Sequence, residues 1–257
     1  MIKYLTHWEI YKKLIKIFPL KLQADWDQSK FICHLKNRHQ PCHRIFIMLD
    51  LEKSWFENQE LTSNDLLIMH HPIVLSQTPT DQKMLQTLIK KRVPILMLHT
   101  NFDFHQNGMN FLMAQTFADS KLTYAQEHGY FVKLKKAMTV ANIANLINEK
   151  HQCYQIVYDH YFKNQLIKNI QIILGSGASE LDHYHQVKKM HRLDLYITGD
   201  MKWHDWQKAR HLNLAVIDCH HTTEKIFVNA IKNIIKTHCQ SDATLVTVPT
   251  HLKLVYL

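Results

Sequence analysis

Glycine is scarce in this chain: 5 residues in 257, against a usual share of about 7%. Each one left is therefore expected to mark a backbone requirement. Cysteine is sparse too, with five residues (Cys33, Cys42, Cys153, Cys219, Cys239) and no CxxC pair. That excludes a zinc ribbon, gives no support to a disulfide scaffold and suits reduced thiols in a cytoplasm. No apolar run approaches the length of a membrane span, so no membrane partner is expected. The opening stretch MIKYLTHWEIYKKLIKIFPLKL is broken by Lys and His every few residues. It reads as an amphipathic helix docked on a core, without the apolar centre of a secretory leader. Runs of five or more basic residues are missing as well. The formal charge of +9 suits nucleotides or other phosphates, but with the lysines scattered, nucleic acid is the less favoured partner.

What is present is a soluble, globular composition, 46% hydrophobic and 21% charged. Short apolar runs alternate with longer helical patterns, which predicts an α/β fold with a largely parallel sheet. Strands are expected at 44–51, 66–69, 95–98, 170–174, 194–197 and 214–217, with a strand pair in the tail at 244–248 and 252–256. Helices are expected near 3–18, 81–92, 107–118, 139–149, 179–190, 202–211 and 223–237. Gly175-Ser176-Gly177 falls between a strand and a helix, where the turn serves either as an anion cradle or as a tight turn with no ligand.

Three of the predicted strands end on groups that bind metals. Leu66–Met69 feeds His70-His71, Ile95–Leu98 feeds His99 and Asp103, and Leu214–Ile217 feeds Asp218-Cys219-His220-His221 with Glu224 beyond. With 20 histidines in the chain, paired histidines carry no weight in themselves; their position at strand ends does. In an open α/β sheet ligands bind beyond the carboxyl ends of strands, so His70, His71, Asp103, His220 and Glu224 are candidates to converge. Imidazole with carboxylate suits zinc, iron, manganese or nickel. His220 and Glu224, four apart, would share one face of a helical turn. Five ligands exceed one open catalytic site and better fit two ions about 3.5–4 Å apart. The competing reading is structural: strand-capping histidines, Asp103 as a helix cap and Glu224 as a first-turn acid. Asp200 and His204, four apart past Gly199, stand as supporting candidates, His204 for proton transfer. His99 reads as either a neighbour of the cleft or a satisfied core histidine. Asp27 and Asp50 receive no role, and the remaining histidines are taken as surface residues.

The strings MHHPIVL (69–75), LHTNFD (98–103), GSGAS (175–179), YITGDMKWH (196–204) and DCHHTTE (218–224) resemble, in order, the Nif-three-like family of GTP cyclohydrolase I type 2 homologues. The resemblance spans about residues 3–237, and Gly108, Gly175, Gly177 and Gly199 fall where that family uses glycine. It implies one family domain over 1–257 made of two similar α/β lobes (1–124 plus 222–257, and 125–221), with a dinuclear metal centre in the cleft between them. It also implies a ring-shaped homohexamer. Carried over, the metal ligands are His70, His71, Asp103, His220 and Glu224, with Glu224 bridging two divalent ions. The implied activity is that of a metal-dependent hydrolase on a nucleotide-like substrate; in the GTP version the purine imidazole ring is opened and formate released. A non-catalytic ring scaffold and a dinuclear phosphoesterase are the alternatives. This chain departs from the family in two places: Gln28-Ser29-Lys30-Phe31 replaces a glycine-containing turn after Trp26-Asp27, and Cys219 replaces the glycine before His220. The stretch from Asp103 to Gly175 is too short for the additional domain some members carry.

Overall fold

Thr6 starts the first helix with a capping box: its hydroxyl accepts from the Glu9 amide, and the Glu9 carboxylate accepts from the Thr6 amide. The helix α1 (His7–Ile17) buries Ile10 and Leu14, so a helix stands where the opening stretch predicts one. His7 is also fully buried, its Nδ1 3.1 Å from the Asn37 carbonyl. This corrects the expectation that it lies on the surface, because burial of one helix stripe takes whatever residue stands in it. The computed structural model describes residues 3–76, 78–125, 128–183 and 192–250. These residues divide into two compact units, one of 1–102 with 227–257 and one of 103–226. Among the described residues no helix is long and apolar enough to cross a membrane.

The first unit continues with β1 (Phe31–Ile32), β2 (Arg44–Met48), α2 (Lys53–Phe56), β3 (Asp65–Met69), α3 (Pro79–Lys90) and β4 (Ile95–Met97), then α4 (Thr100–Asp103). The second unit holds α5 (Met109–Ala114), β5 (Lys121–Ala125), β6 (Gly129–Thr139) and α6 (Val140–His151). It goes on with β7 (Val157–Tyr158), β8 (Leu166–Ile172), β9 (Leu195–Thr198), α7 (Trp203–His211) and β10 (Ala215–Asp218). The chain then returns to the first unit through α8 (Ile226–Ile234) and β11 (Thr244–Thr247). The expected strand at 252–256 and most of the helix expected at 179–190 lie outside the described residues.

In the first unit the sheet order is β1-β4-β3-β2-β11, parallel except for the β1–β4 pair. Its central strands are buried on both faces, as parallel sheets require. Phe46, Met48, Leu67, Met69, Ile95 and Met97 pack with Met84 and Leu88 of α3, while the alternate Ile45, Ile47, Leu66 and Ile68 are equally inaccessible. The second unit has the order β5-β6-β8-β9-β10-β7, with parallel pairing from β8 through β10 and antiparallel strands on both sides. The β5–β6 hairpin escapes the apolar pattern because Lys133, Lys135 and Lys136 are exposed to solvent, which an antiparallel strand tolerates and a buried parallel strand does not. Both units are α/β, and each presents the carboxyl ends of its parallel strands as a place for ligands.

Candidate metal centre

In the first unit the parallel register decides which side chains meet. Met48 pairs with Met69 and Met69 with Met97, so the residues just beyond the strands stay in step. The His70 and His71 amides extend the ladder to the Met48 and Leu49 carbonyls at 3.2 and 3.1 Å. Two residues past Met48, Asp50 comes level with His71 and places Oδ1 2.6 Å from its Nδ1. One residue past Met97, the Leu98 carbonyl receives His70 Nδ1 at 2.9 Å. His99 Nδ1 lies 3.2 Å from Asp27 Oδ1. The three rings gather with centroids 4.9, 5.2 and 5.8 Å apart, and the potential ligand atoms of His70, His71 and His99 lie within 4.8 Å of one another. A carboxylate and a carbonyl oxygen only accept hydrogen bonds, so Nδ1 of each ring is the protonated nitrogen and Nε2 carries the lone pair. That is the arrangement by which an outer carboxylate or carbonyl orients a histidine for a metal.

Asp27 anchors this cluster. It is buried and also accepts from the Ser29 amide and hydroxyl and the Thr100 amide and hydroxyl, at 2.5–3.1 Å. Burial works against its charge, but the hydrogen bonds from His99, Thr100 and Ser29 prevail and hold its carboxyl well below the usual range. Thus Trp26-Asp27-Gln28-Ser29, which lacks the family's glycine turn, still fastens the loop to the end of β4. Trp26 meets the His99 ring edge-on at 5.5 Å, and Phe227 covers His70 at 5.0 Å.

In the second unit β8, β9 and β10 end side by side. The Gly199 amide donates to the Gly175 carbonyl at 3.0 Å and the Cys219 amide to the Thr198 carbonyl at 2.8 Å. Residues 221–225 form a 3₁₀ turn, in which side chains three apart align. Glu224 consequently meets His221, Oε2 to Nε2 at 3.0 Å, where the sequence spacing had paired it with His220 on an α-helical turn. His221 Nδ1 lies 2.6 Å from Asp200 Oδ2. Burial disfavours the imidazolium, yet the two carboxylates overcome it and push His221 up to about 11. The buried Glu224 is thus already held against a positive charge. Its carboxylate packs on Gly175, whose φ is +68° and where a Cβ would come within 2.3 Å of Oε1. The first glycine of the GSG turn makes room for a carboxylate.

His220 behaves differently. Its backbone takes φ +61° and ψ +145°, a region that glycine adopts almost alone, and Asp218 secures it by accepting the His220 amide at 2.7 Å. The Thr222 amide donates to His220 Nδ1 at 3.2 Å, and the Thr222 hydroxyl lies 2.9 Å from the same nitrogen, so this edge of the ring is held within its own turn. Asp103 closes α4, and its carbonyl accepts from Asn110 Nδ2 at 3.2 Å; Asn110 Oδ1 in turn accepts the Leu174 amide, one residue before Gly175, at 2.8 Å. His204 lies on the first turn of α7, 73% exposed and 3.4 Å from Asp205.

The structure therefore brings His70 and His71 together with His99, and Glu224 with His221. His99 with its partner Asp27, His221 with its partner Asp200, and Asp50 beside His71 had no firm part in the reading of the sequence. Only the position of Asp50, two residues past β2 as His71 is two residues past β3, hinted at the pairing. An all-imidazole and carboxylate donor set suits a hard or borderline divalent ion, and the His/Glu clusters fit one. Nearby, the Cys153 thiol is hydrogen-bonded to the buried Cys219, which lowers Cys153 to about 7 and raises Cys219.

A family profile described as Duf34/NIF3 (NGG1p interacting factor 3) matches residues 5–252. A Ureaplasma parvum protein named GTP cyclohydrolase 1 type 2 homolog is 27% identical, over 97% of both chains. A Helicobacter pylori protein named GTP cyclohydrolase 1 type 2 is 25% identical, over 88% of this chain and 90% of its own. Among solved structures, a Bacillus cereus protein related to NIF3 superposes with a TM-score of 0.81 at 14% identity, over 99% of this chain and 100% of that one. That last likeness concerns the fold.

Proposed function

Because this chain belongs to the Duf34/NIF3 family, we propose that it is a divalent-metal-dependent hydrolase acting on a nucleotide-like substrate, as the names of its relatives suggest. Its ligands would be His70, His71, Asp103, His220 and Glu224 around two divalent ions, with His99 as a further donor. The observation that carries this reading is the fixed tautomer of His70, His71 and His99: each Nδ1 is held by an acceptor, so each Nε2 lone pair is aimed by a second residue. A core of merely satisfied histidines has no need of three such rings within ligand distance of one another. Ions held there would supply Lewis acidity and make a hydrolytic water acidic at neutral pH. Asp50 and Asp27 orient their imidazoles, and Asp200 does the same for His221. Glu224, buried against Gly175, supplies negative charge for the cations. His204, exposed on α7, would pass protons to bulk water. A cytoplasmic homohexamer belongs to the same proposal.

The test begins with elemental analysis of purified protein, where about two ions per chain are expected. Metal-replete protein is then given GTP and, separately, a model phosphodiester. Conversion of GTP to a fluorescent pterin precursor with release of formate supports the cyclohydrolase reading. Cleavage of the diester alone refutes it in favour of a phosphoesterase, and metal with neither turnover leaves a scaffold.

A further inference from the structure

A second place in the molecule holds a cavity. In the second unit, α7 lies against the edge strand β7 and leaves a cavity of about 470 Å³ lined by Val157, Tyr158 and Asp159 on one side and Trp203, Trp206, Gln207, Arg210 and His211 on the other. That volume is in the range of small-molecule sites. Trp203, Trp206, Gln207 and Arg210 recur at three- and four-residue steps, so one face of α7 supplies them all. Trp206 is half-buried and packs on the core of this unit, whereas Trp203 is 77% exposed. An indole left that open beside a second indole offers flat apolar area to a partner.

Charge narrows the class of ligand. The protein carries a formal +9, yet among the described residues the lining has no lysine. Its arginine is spent: Arg210 Nε and Nη2 grip the Asp159 carboxylate at 2.6 Å each, and the guanidinium stacks 4.3 Å over Tyr161. Asp159 is fixed further by the Tyr161 amide at 3.0 Å. A matched bidentate pair leaves little field to attract a phosphate, while Gln207 can donate to and accept from the edge of a ring. We propose that this cleft binds a neutral, planar heteroaromatic ring of the nucleobase class, stacked on Trp203 and Trp206. The site also adjoins the carboxyl ends of β9 and β10, since Val157 pairs with Asp218 and Asp218 with Thr198. It does not rest on the metal reading.

The experiment uses the full chain, stripped of metal with a chelator so that it reads binding alone, titrated with adenosine and followed by indole fluorescence. Ribose and inorganic phosphate serve as the non-aromatic and anionic probes. Saturable quenching by adenosine, absent with both other probes, is expected. Trp203→Ala should weaken it about tenfold with an unchanged circular dichroism spectrum, and Trp203→Phe should restore most of the affinity. Three results overturn the proposal: equal binding by Trp203→Ala, displacement of adenosine by phosphate, or an indole signal that follows protein concentration without adenosine. The last would mark the cleft as a contact between copies of this chain.

Discussion

Gly175→Ala tests the packing of the candidate centre most directly. The backbone there has φ +68°, and placing an L-residue in the left-handed region costs about 1–2 kcal/mol. The new methyl would also stand 2.3 Å from Glu224 Oε1, far inside contact distance. Glu224 is buried and its other oxygen is held by His221 at 3.0 Å, so the carboxylate cannot swing away without giving up that partner. Overpacking of this kind costs about 1–3 kcal/mol, giving a total near 2–5 kcal/mol. Urea unfolding of metal-free Gly175→Ala and Glu224→Ala, singly and together, separates the two contributions. In the double variant the clash is gone and only the backbone cost should remain, so the cycle should show a coupling of about 1–3 kcal/mol. If Gly175→Ala loses less than about 0.5 kcal/mol, or if the losses simply add, the close approach of Glu224 to this turn is refuted.

Other outcomes follow from the same geometry. Asp50→Asn removes the charged acceptor from His71 Nδ1 and should weaken metal binding about 10- to 100-fold with little change in the thermal midpoint of the metal-free protein; competition against a chromophoric chelator measures it. The folded Asp27 carboxyl is depressed, so the stability it gives is present above the unfolded value of about 3.9 and is lost as pH falls below it. Urea midpoints between pH 6 and pH 3 should therefore fall more steeply for the parent protein than for Asp27→Asn. The Cys153 thiol, lowered to about 7 by its hydrogen bond to Cys219, should be alkylated by iodoacetamide with a rate that rises up to about pH 7 and then levels. In Cys219→Ala, which removes the donor, that inflection should move up toward the ordinary value of about 8.5, as mass spectrometry of the labelled peptide would report.

The sequence by itself determined the α/β class, the strands that lead to His70-His71, His99 and His220-His221, and the family to which the chain belongs. Short apolar runs with ligands at their ends are local signals, and a parallel strand buried on both faces cannot hide its composition. The β5–β6 hairpin stayed illegible because its exposed lysines break the apolar run. Tertiary structure alone decided which groups touch. The register that levels Asp50 with His71 depends on how two distant strands slide past each other, and the turn that gives Glu224 to His221 depends on three residues per turn replacing 3.6. Neither quantity is written in the spacing of residues along the chain, since hydrogen-bonded ladders and turn pitch are fixed only when the sheet and its loops are packed.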